Sequence, residues 1–254
     1  MWVLVTLKEN IKKILEDLSI GKNISDVFSD VIICSAYSLA NLSCFNQERE
    51  NARNQYNYII GKYGKDKEKQ VASILVMLLK AYSRNKNQDI LGEIYEELQT
   101  NKRKLGQVFT PFKVADLLSN TVYNEQFVET TIKEKNFISV YDPACGTGRL
   151  LYSSYDSLLR CKAKPENIFI MGGDLDLLCC CITYVQLSLM GVNAVINHQD
   201  TLEMKIYDTF YTFDYITNKN LQKNISNYIE ESKREETTQS KLESEDIDIT
   251  ESMF

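Results

Sequence analysis

Histidine is nearly absent from this chain: His198 is the only one in 254 residues. That leaves little material for a histidine-based zinc site or a hydrolytic triad, and His198 itself reads as a structural or solvent-facing residue. Proline is almost as scarce, with three in all and none before Pro111. No apolar run approaches the roughly 18 residues needed to cross a bilayer. The opening Met1-Trp2-Val3-Leu4-Val5 is too short for a signal peptide and is followed by Lys8 and Glu9. Seven cysteines are present, at 34, 44, 145, 161 and 179–181, without paired metal-ligand spacing. Three in a row on one helix cannot all pair with each other, so reduced thiols, a cytoplasmic location and no metal are expected. The net charge of −6 looks unfavourable for a nucleic-acid binder, but it is concentrated in one place. Leu221 to Phe254 holds nine acids against four bases, which leaves the rest near −1. A nearly neutral body can still carry a basic face, and Lys102-Arg103-Lys104 is a candidate for one.

What is present divides into two parts. Residues 1–104 read as an N-terminal helical domain, free of proline and with few glycine breaks (Gly21, and Gly61 with Gly64). Ile11, Ile14, Leu15 and Leu18 fall at helical spacing, as do Val27, Val31, Ile32, Ala36 and Leu39, and again Ile90, Ile94 and Leu98. The run Val71–Leu79 is apolar nearly all round, which predicts a helix at the centre of its bundle. From 105 to 228 the pattern alternates. Strands are expected at 137–141, 168–172, 194–197 and 213–217, separated by helices near 149–162 and 176–190, the second stopped by Gly191. That alternation implies an α/β fold with a parallel sheet and right-handed crossovers. Residues 229–254 are charged and rich in serine and threonine, and are expected to be a disordered acidic tail.

The most specific string is Asp142-Pro143-Ala144-Cys145-Gly146-Thr147-Gly148, between an apolar strand and a helix. A strand–glycine turn–helix unit binds nucleotide-like ligands, because the glycines let the backbone approach and aim its amides at the ligand. The carboxylate of Asp142 at the strand end repels phosphate but suits a cation or a hydroxyl-rich group. S-adenosylmethionine (SAM), with its ammonium and sulfonium, therefore fits better than a dinucleotide. After the next strand come Asp174 and Asp176, one placed to meet ribose hydroxyls and the other to cap the following helix. Asp200, after the third strand, either accepts from an adenine amino group or is a surface loop acid.

Gly106-Gln107-Val108-Phe109-Thr110-Pro111, the DPACGTGRLL string at 142–151, Gly172-Gly173-Asp174-Leu175-Asp176 and Gln199-Asp200-Thr201-Leu202 occur in one order. Together they resemble the adenine-N6 DNA methyltransferases, in particular the modification subunit of type I restriction–modification systems. The resemblance covers roughly 105–217, and the helical region before it is similar to that family's N-terminal part. It implies a Rossmann-like SAM-dependent methyltransferase sheet, with methyl transfer from SAM to adenine N6 in DNA. It further implies that Phe109, Thr110 and Pro111 lie over the methionine part of SAM. The turn, through Asp142, Pro143, Ala144, Cys145, Gly146 and Gly148, would hold the amino-acid moiety, Asp174 the ribose and Asp200 the adenine.

Two departures accompany the resemblance. The family's catalytic loop is an Asn or Asp, two prolines and an aromatic residue, whereas this chain reads Thr217-Asn218-Lys219-Asn220-Leu221. Asn218 is the candidate catalytic residue, but the prolines and the aromatic ring that stack and orient a flipped base are missing. The family's sheet has seven strands, and only about four are expected here, so the sheet is incomplete. The alternative to an enzyme is thus a SAM-binding, subunit-like protein that pairs with a complete modification or specificity subunit. A partner would then complete the sheet and bring the DNA. Glutamine methylation, which uses a similar loop, is disfavoured by the GQVFTP string.

Overall fold

The computed structural model describes residues 2–43, 46–86, 88–99 and 110–234. Five helices come first: α1 (Trp2–Leu18), α2 (Ile24–Ser43), α3 (Asn46–Gly61), α4 (Lys65–Tyr82) and α5 (Ile90–Gln99). The helix expected to be central, α4, buries Val71, Ile74 and Leu78 but leaves Val76 and Leu79 half exposed. The hub is α2, which touches α1, α3, α4 and α5 and also the sheet region. Small buried residues along it, Ser25, Ser35, Ala36, Ala40 and Ser43, let its neighbours approach closely.

The second part begins with α6 (Phe112–Val122) and α7 (Glu125–Lys135). Then β1 (Ile138–Asp142), α8 (Arg149–Arg160), β2 (Ile168–Asp174), α9 (Leu177–Met190) and β3 (Ala194–Asp200) follow in regular alternation. The three strands are parallel and adjacent in the order β1-β2-β3. Asp176 caps α9, its carboxylate accepting from the Leu178 amide at 2.9 Å. Gly191 stops α9 with φ +70°, as the sequence implied.

The fourth strand differs from expectation in place and direction. β4 is Lys205–Tyr211, antiparallel to β3 and joined to it by a short turn. Phe213–Thr217, expected as a strand, is a short helix, α10, capped by the Thr212 hydroxyl. The segment Lys205-Ile-Tyr-Asp-Thr-Phe-Tyr is aromatic and β-branched, which suits a strand on a half-buried surface. A five-residue apolar run such as Phe213–Thr217 has no decisive period, and here the cap sets it. The sheet is therefore mixed, with β1 and β4 at its edges.

Strand side chains alternate between two faces. Ile138, Ile170, Ala194 and Ile196 join α8, α9 and the five N-terminal helices in one continuous apolar core. On the other face Phe137 and Phe169 pack against Leu221. Leu221 belongs to a last helix, α11, in which described residues 219–234 are helical. The expected tail thus starts inside a helix, and residues 235–254 lie outside the described part, as does the expected boundary at 104/105.

Candidate functional site

Because β1, β2 and β3 run parallel, their C-terminal ends gather at one edge of the sheet, and the three acidic loops meet there. The turn after β1 is fastened to the end of β2 by two amides. Cys145 N–H donates to the Gly173 carbonyl at 2.9 Å, and Gly146 N–H to Asp174 Oδ2 at 2.8 Å. From α9, Thr183 Oγ1 donates to the Gly146 carbonyl at 3.0 Å. From the loop after β3, Thr201 Oγ1 donates to the Pro143 carbonyl at 2.7 Å.

Gly146 and Gly148 have φ of +54° and +89°, a left-handed conformation that side chains resist. At Gly148 space is also decisive, since a Cβ would sit 2.6 Å from the Tyr152 ring and 2.9 Å from Thr183 Cγ2. Gly148 caps α8 and Asp176 caps α9, so two helix N-termini, with their partial positive charge, open at this edge.

The carboxylates have distinct environments. Removal from water pushes the Asp142 carboxyl above its usual range and neighbouring Asp174 adds to this, against a pull from the Ala144 amide. That amide donates to Asp142 Oδ1 at 3.1 Å. Asp174 uses both oxygens: Oδ2 takes Gly146, and Oδ1 takes the Asp176 amide at 2.9 Å. Asp200 Oδ1 accepts the amides of Leu202 and Glu203, each at 3.0 Å, and so shapes its own loop. Burial pushes the Cys145 thiol up, with Asp174 and Asp142 adding to the effect, which keeps it protonated.

Two hollows open near the end of β1. One of about 70 Å³ is lined by Thr110, Asp142, Gly146 and Arg149 among others. The other, about 370 Å³, lies between Tyr141, Gln199, Asp200 and Met204. The larger falls in the size range of small-molecule pockets, roughly 300–1,000 Å³.

Most of the residues picked from sequence therefore converge: Thr110, Asp142, Pro143, Ala144, Cys145, Gly146, Gly148, Asp174 and Asp200. Pro111 is the cap of α6 beside them. Phe109 lies outside the described residues. Asn218 does not converge. Its Nδ2 donates to the Glu166 carbonyl at 2.9 Å and to Asn193 Oδ1 at 3.1 Å, and its Oδ1 accepts the Leu221 amide at 3.1 Å. Glu166 and Asn193 precede β2 and β3, so Asn218 and Lys219 sit at the opposite edge of the sheet. The reason is β4: running antiparallel, it carries the chain back to the N-terminal edge. His198 is structural, its Nε2 lying 3.2 Å from the Leu175 carbonyl.

Sequence reasoning missed what lies behind the turn. Arg149, directly after Gly148, is buried and paired with Asp89 at 2.5 Å, and its Nη1 reaches the Thr110 carbonyl at 3.2 Å. A charged residue on the buried face of an amphipathic helix was the available signal; its partner, 60 positions away, had none.

A sequence model of the N-6 DNA methylase family matches residues 86–248, more than half of the chain. The chain is 28% identical over 109 residues to a type I restriction enzyme methylase subunit (MjaVIII) of Methanocaldococcus jannaschii, a match covering 41% of this chain and 16% of that protein. Among solved structures it is similar to a type I restriction–modification methyltransferase subunit from Streptococcus thermophilus, with TM-score 0.40 and 16% identity, over 80% of this chain and 59% of that one. It is likewise similar to a putative class I SAM-dependent methyltransferase from Listeria monocytogenes, with TM-score 0.40 and 16% identity, over 77% and 54%. The chain thus spans a small part of the archaeal relative and little more than half of each solved structure. No helix among the described residues is long and apolar enough to cross a membrane.

Proposed function

This chain belongs to the N-6 DNA methylase family, and from that membership we propose that it binds SAM at the Asp142–Gly148 turn. It serves adenine-N6 methylation of DNA as the donor-binding member of an assembly. The observation that carries the reading is the Gly146–Asp174 lock. It holds a left-handed glycine turn open beside the Asp142 carboxylate, at an edge where Asp200 and two helix N-termini converge.

The donor set fits SAM by its chemistry. A dinucleotide would bring a pyrophosphate to this turn, where Asp142 and Asp174 repel it. SAM brings an ammonium for Asp142 and ribose hydroxyls for Asp174, and its adenine amino group suits Asp200. The hollow between Tyr141 and Asp200 is large enough for the adenosine part. SAM, once bound, supplies an electrophilic methyl on sulfonium. The residues of this chain would orient it, with the Asp142 carboxylate set against the ammonium.

The acceptor half needs a flipped adenine in line with that methyl. Asn218 lies at the far edge of the sheet, which favours an acceptor loop supplied by another polypeptide over methyl transfer by this chain alone. β1 supports the same reading. Among the described residues it has β2 as its one strand neighbour, so its other side ends the described sheet beside the turn. A ligand crevice in an α/β sheet forms where strand order reverses, next to the first strand. A partner that pairs there would complete the crevice, and a specificity subunit would supply DNA sequence recognition.

Calorimetric titration with SAM tests the binding step. Micromolar affinity is expected, abolished by Asp142→Ala or Gly146→Val, and absence of heat with the unaltered chain would remove the reading. Labelled methyl transfer to adenine-containing duplex DNA by the chain alone would overturn the division of labour and make it a complete enzyme.

A further inference from the structure

Behind the glycine turn lies a buried polar cluster. Its centre is Asp89, whose side chain is fully buried, just before α5 in the helical region. Each carboxylate oxygen takes two hydrogen bonds, and they divide by origin. Oδ1 accepts the Gly92 amide at 2.9 Å, which caps α5, and Gln186 Nε2 of α9, also at 2.9 Å. Oδ2 accepts Thr147 Oγ1 at 3.2 Å and Arg149 Nε at 2.5 Å. Thr147 is in the turn, and Arg149 is the first residue of α8.

A second layer closes the cluster. Gln186 Oε1 accepts the Tyr82 hydroxyl and the Leu91 amide. Gln186 Nε2 also reaches the Tyr152 hydroxyl at 2.8 Å, and that hydroxyl donates to the Thr147 carbonyl at 2.5 Å. The side chain of Thr147 is therefore held from the helical region by Asp89, and its carbonyl by Tyr152 of α8. Gly92 is glycine for the same reason, because an added Cβ would occupy the position of the Asp89 carboxylate.

We propose that Asp89 is a positioning residue for the ligand-binding turn, so that the helical region is an integral part of the site rather than an appendage to the sheet. Burying a carboxylate and a guanidinium takes both out of water, which is expensive unless geometry and hydrogen bonds compensate. A carboxylate has about four lone-pair sites, and all are used here, one of them on the turn and one on the residue directly after it. The sheet-side contacts fasten Cys145 and Gly146, and Asp89 fastens Thr147 and Arg149. The two left-handed glycines thus lie between anchors from two different parts of the fold.

The test uses the full chain, with Asp89→Asn as the first variant. It keeps the shape, retains an acceptor for Gly92, and turns an amide NH2 toward Arg149. Backbone hydrogen exchange at Gly146, Thr147 and Gly148 should accelerate roughly tenfold while β2 and β3 keep their protection. Affinity for SAM should fall by roughly tenfold at a temperature where the variant stays folded. The paired change Asp89→Asn with Arg149→Gln restores complementary amides and should bring the exchange rates back to within about threefold of the parent. A merely structural residue would lower the melting temperature without this selective effect or its rescue. Should Asp89→Asn fail to fold, Thr147→Val removes one hydroxyl bond at near-constant volume, and faster exchange at Gly148 is again expected. Exchange at the turn unchanged in whichever variant folds would overturn the proposal. The affinity readout rests on the SAM reading and the exchange readout does not, so an unaltered chain that binds no SAM would defeat that reading alone.

Discussion

The Gly146 amide points at Asp174 Oδ2 across 2.8 Å, and Oδ1 of the same carboxylate holds the Asp176 amide at 2.9 Å. Asp174 is thereby a structural clamp between the first and second loops as well as the proposed ribose contact. Asp174→Ala leaves two half-buried backbone donors without their acceptor, at up to about 1–3 kcal/mol, the cost of a fully buried unsatisfied group. The variant should lose chemical-denaturation stability of that order together with SAM affinity. A residue that touched only ribose would lose affinity at unchanged stability, and that result would refute the clamp.

Gly148 is constrained twice, by its φ of +89° and by a Tyr152 ring 2.6 Å from where a Cβ would stand. Gly148→Ala combines left-handed strain of about 1–2 kcal/mol with overpacking of about 1–3 kcal/mol. A loss of at least about 2 kcal/mol is expected in urea unfolding. Gly64, with φ +77° and open space around it, is the control. Gly64→Ala should show the strain cost alone, and equal losses at the two positions would contradict the crowding at Gly148.

How far the site was legible in sequence follows from which interactions are local. The DPACGTG turn, the Asp176 cap and the Gly191 stop are each decided within a few residues by φ preference or a side chain–amide bond, and they stand where the pattern put them. The three parallel strands follow from strand–helix alternation. β4 did not follow, because the choice between Lys205–Tyr211 and Phe213–Thr217 is made by pairing with β3 and by Thr212, whose buried hydroxyl donates to the Val192 carbonyl at 2.7 Å. Asn218 was misplaced for that reason alone, since one antiparallel strand moves everything after it to the other edge. Asp89 was invisible because its meaning depends on Arg149 and Gln186, 60 and 97 positions away.

Asp142 gives a pH dependence of defined sign. Burial, assisted by Asp174, raises its carboxyl above the ordinary value in the folded chain. The folded protein then holds this proton more tightly than the unfolded chain does. The favourable contribution of Asp142 is present below its unfolded pKa and is lost as pH rises through the raised folded value. Asp142→Asn should accordingly raise the neutral-pH melting temperature of the ligand-free protein while abolishing SAM binding. A cationic ligand requires the carboxylate, so affinity for SAM should fall by up to about tenfold per pH unit below the folded pKa. Calorimetry across mildly acidic pH measures this; a flat profile would show that Asp142 does not meet the ammonium.

Asn218 separates the two edges of the sheet. Its amide ties together the Glu166 carbonyl, Asn193 and the Leu221 amide, holding α11 to the segments that lead into β2 and β3. Asn218→Ala removes a helix cap and two further bonds, at about 1–2 kcal/mol. For a chain of this size that corresponds to a fall of roughly 2–8 °C in melting temperature. SAM affinity should remain within about twofold of the parent, because additivity holds for sites this far apart. The paired measurement of melting and titration decides the matter. Weakened SAM binding at unchanged stability would place Asn218 back in the site, and with it the case for catalysis by this chain alone.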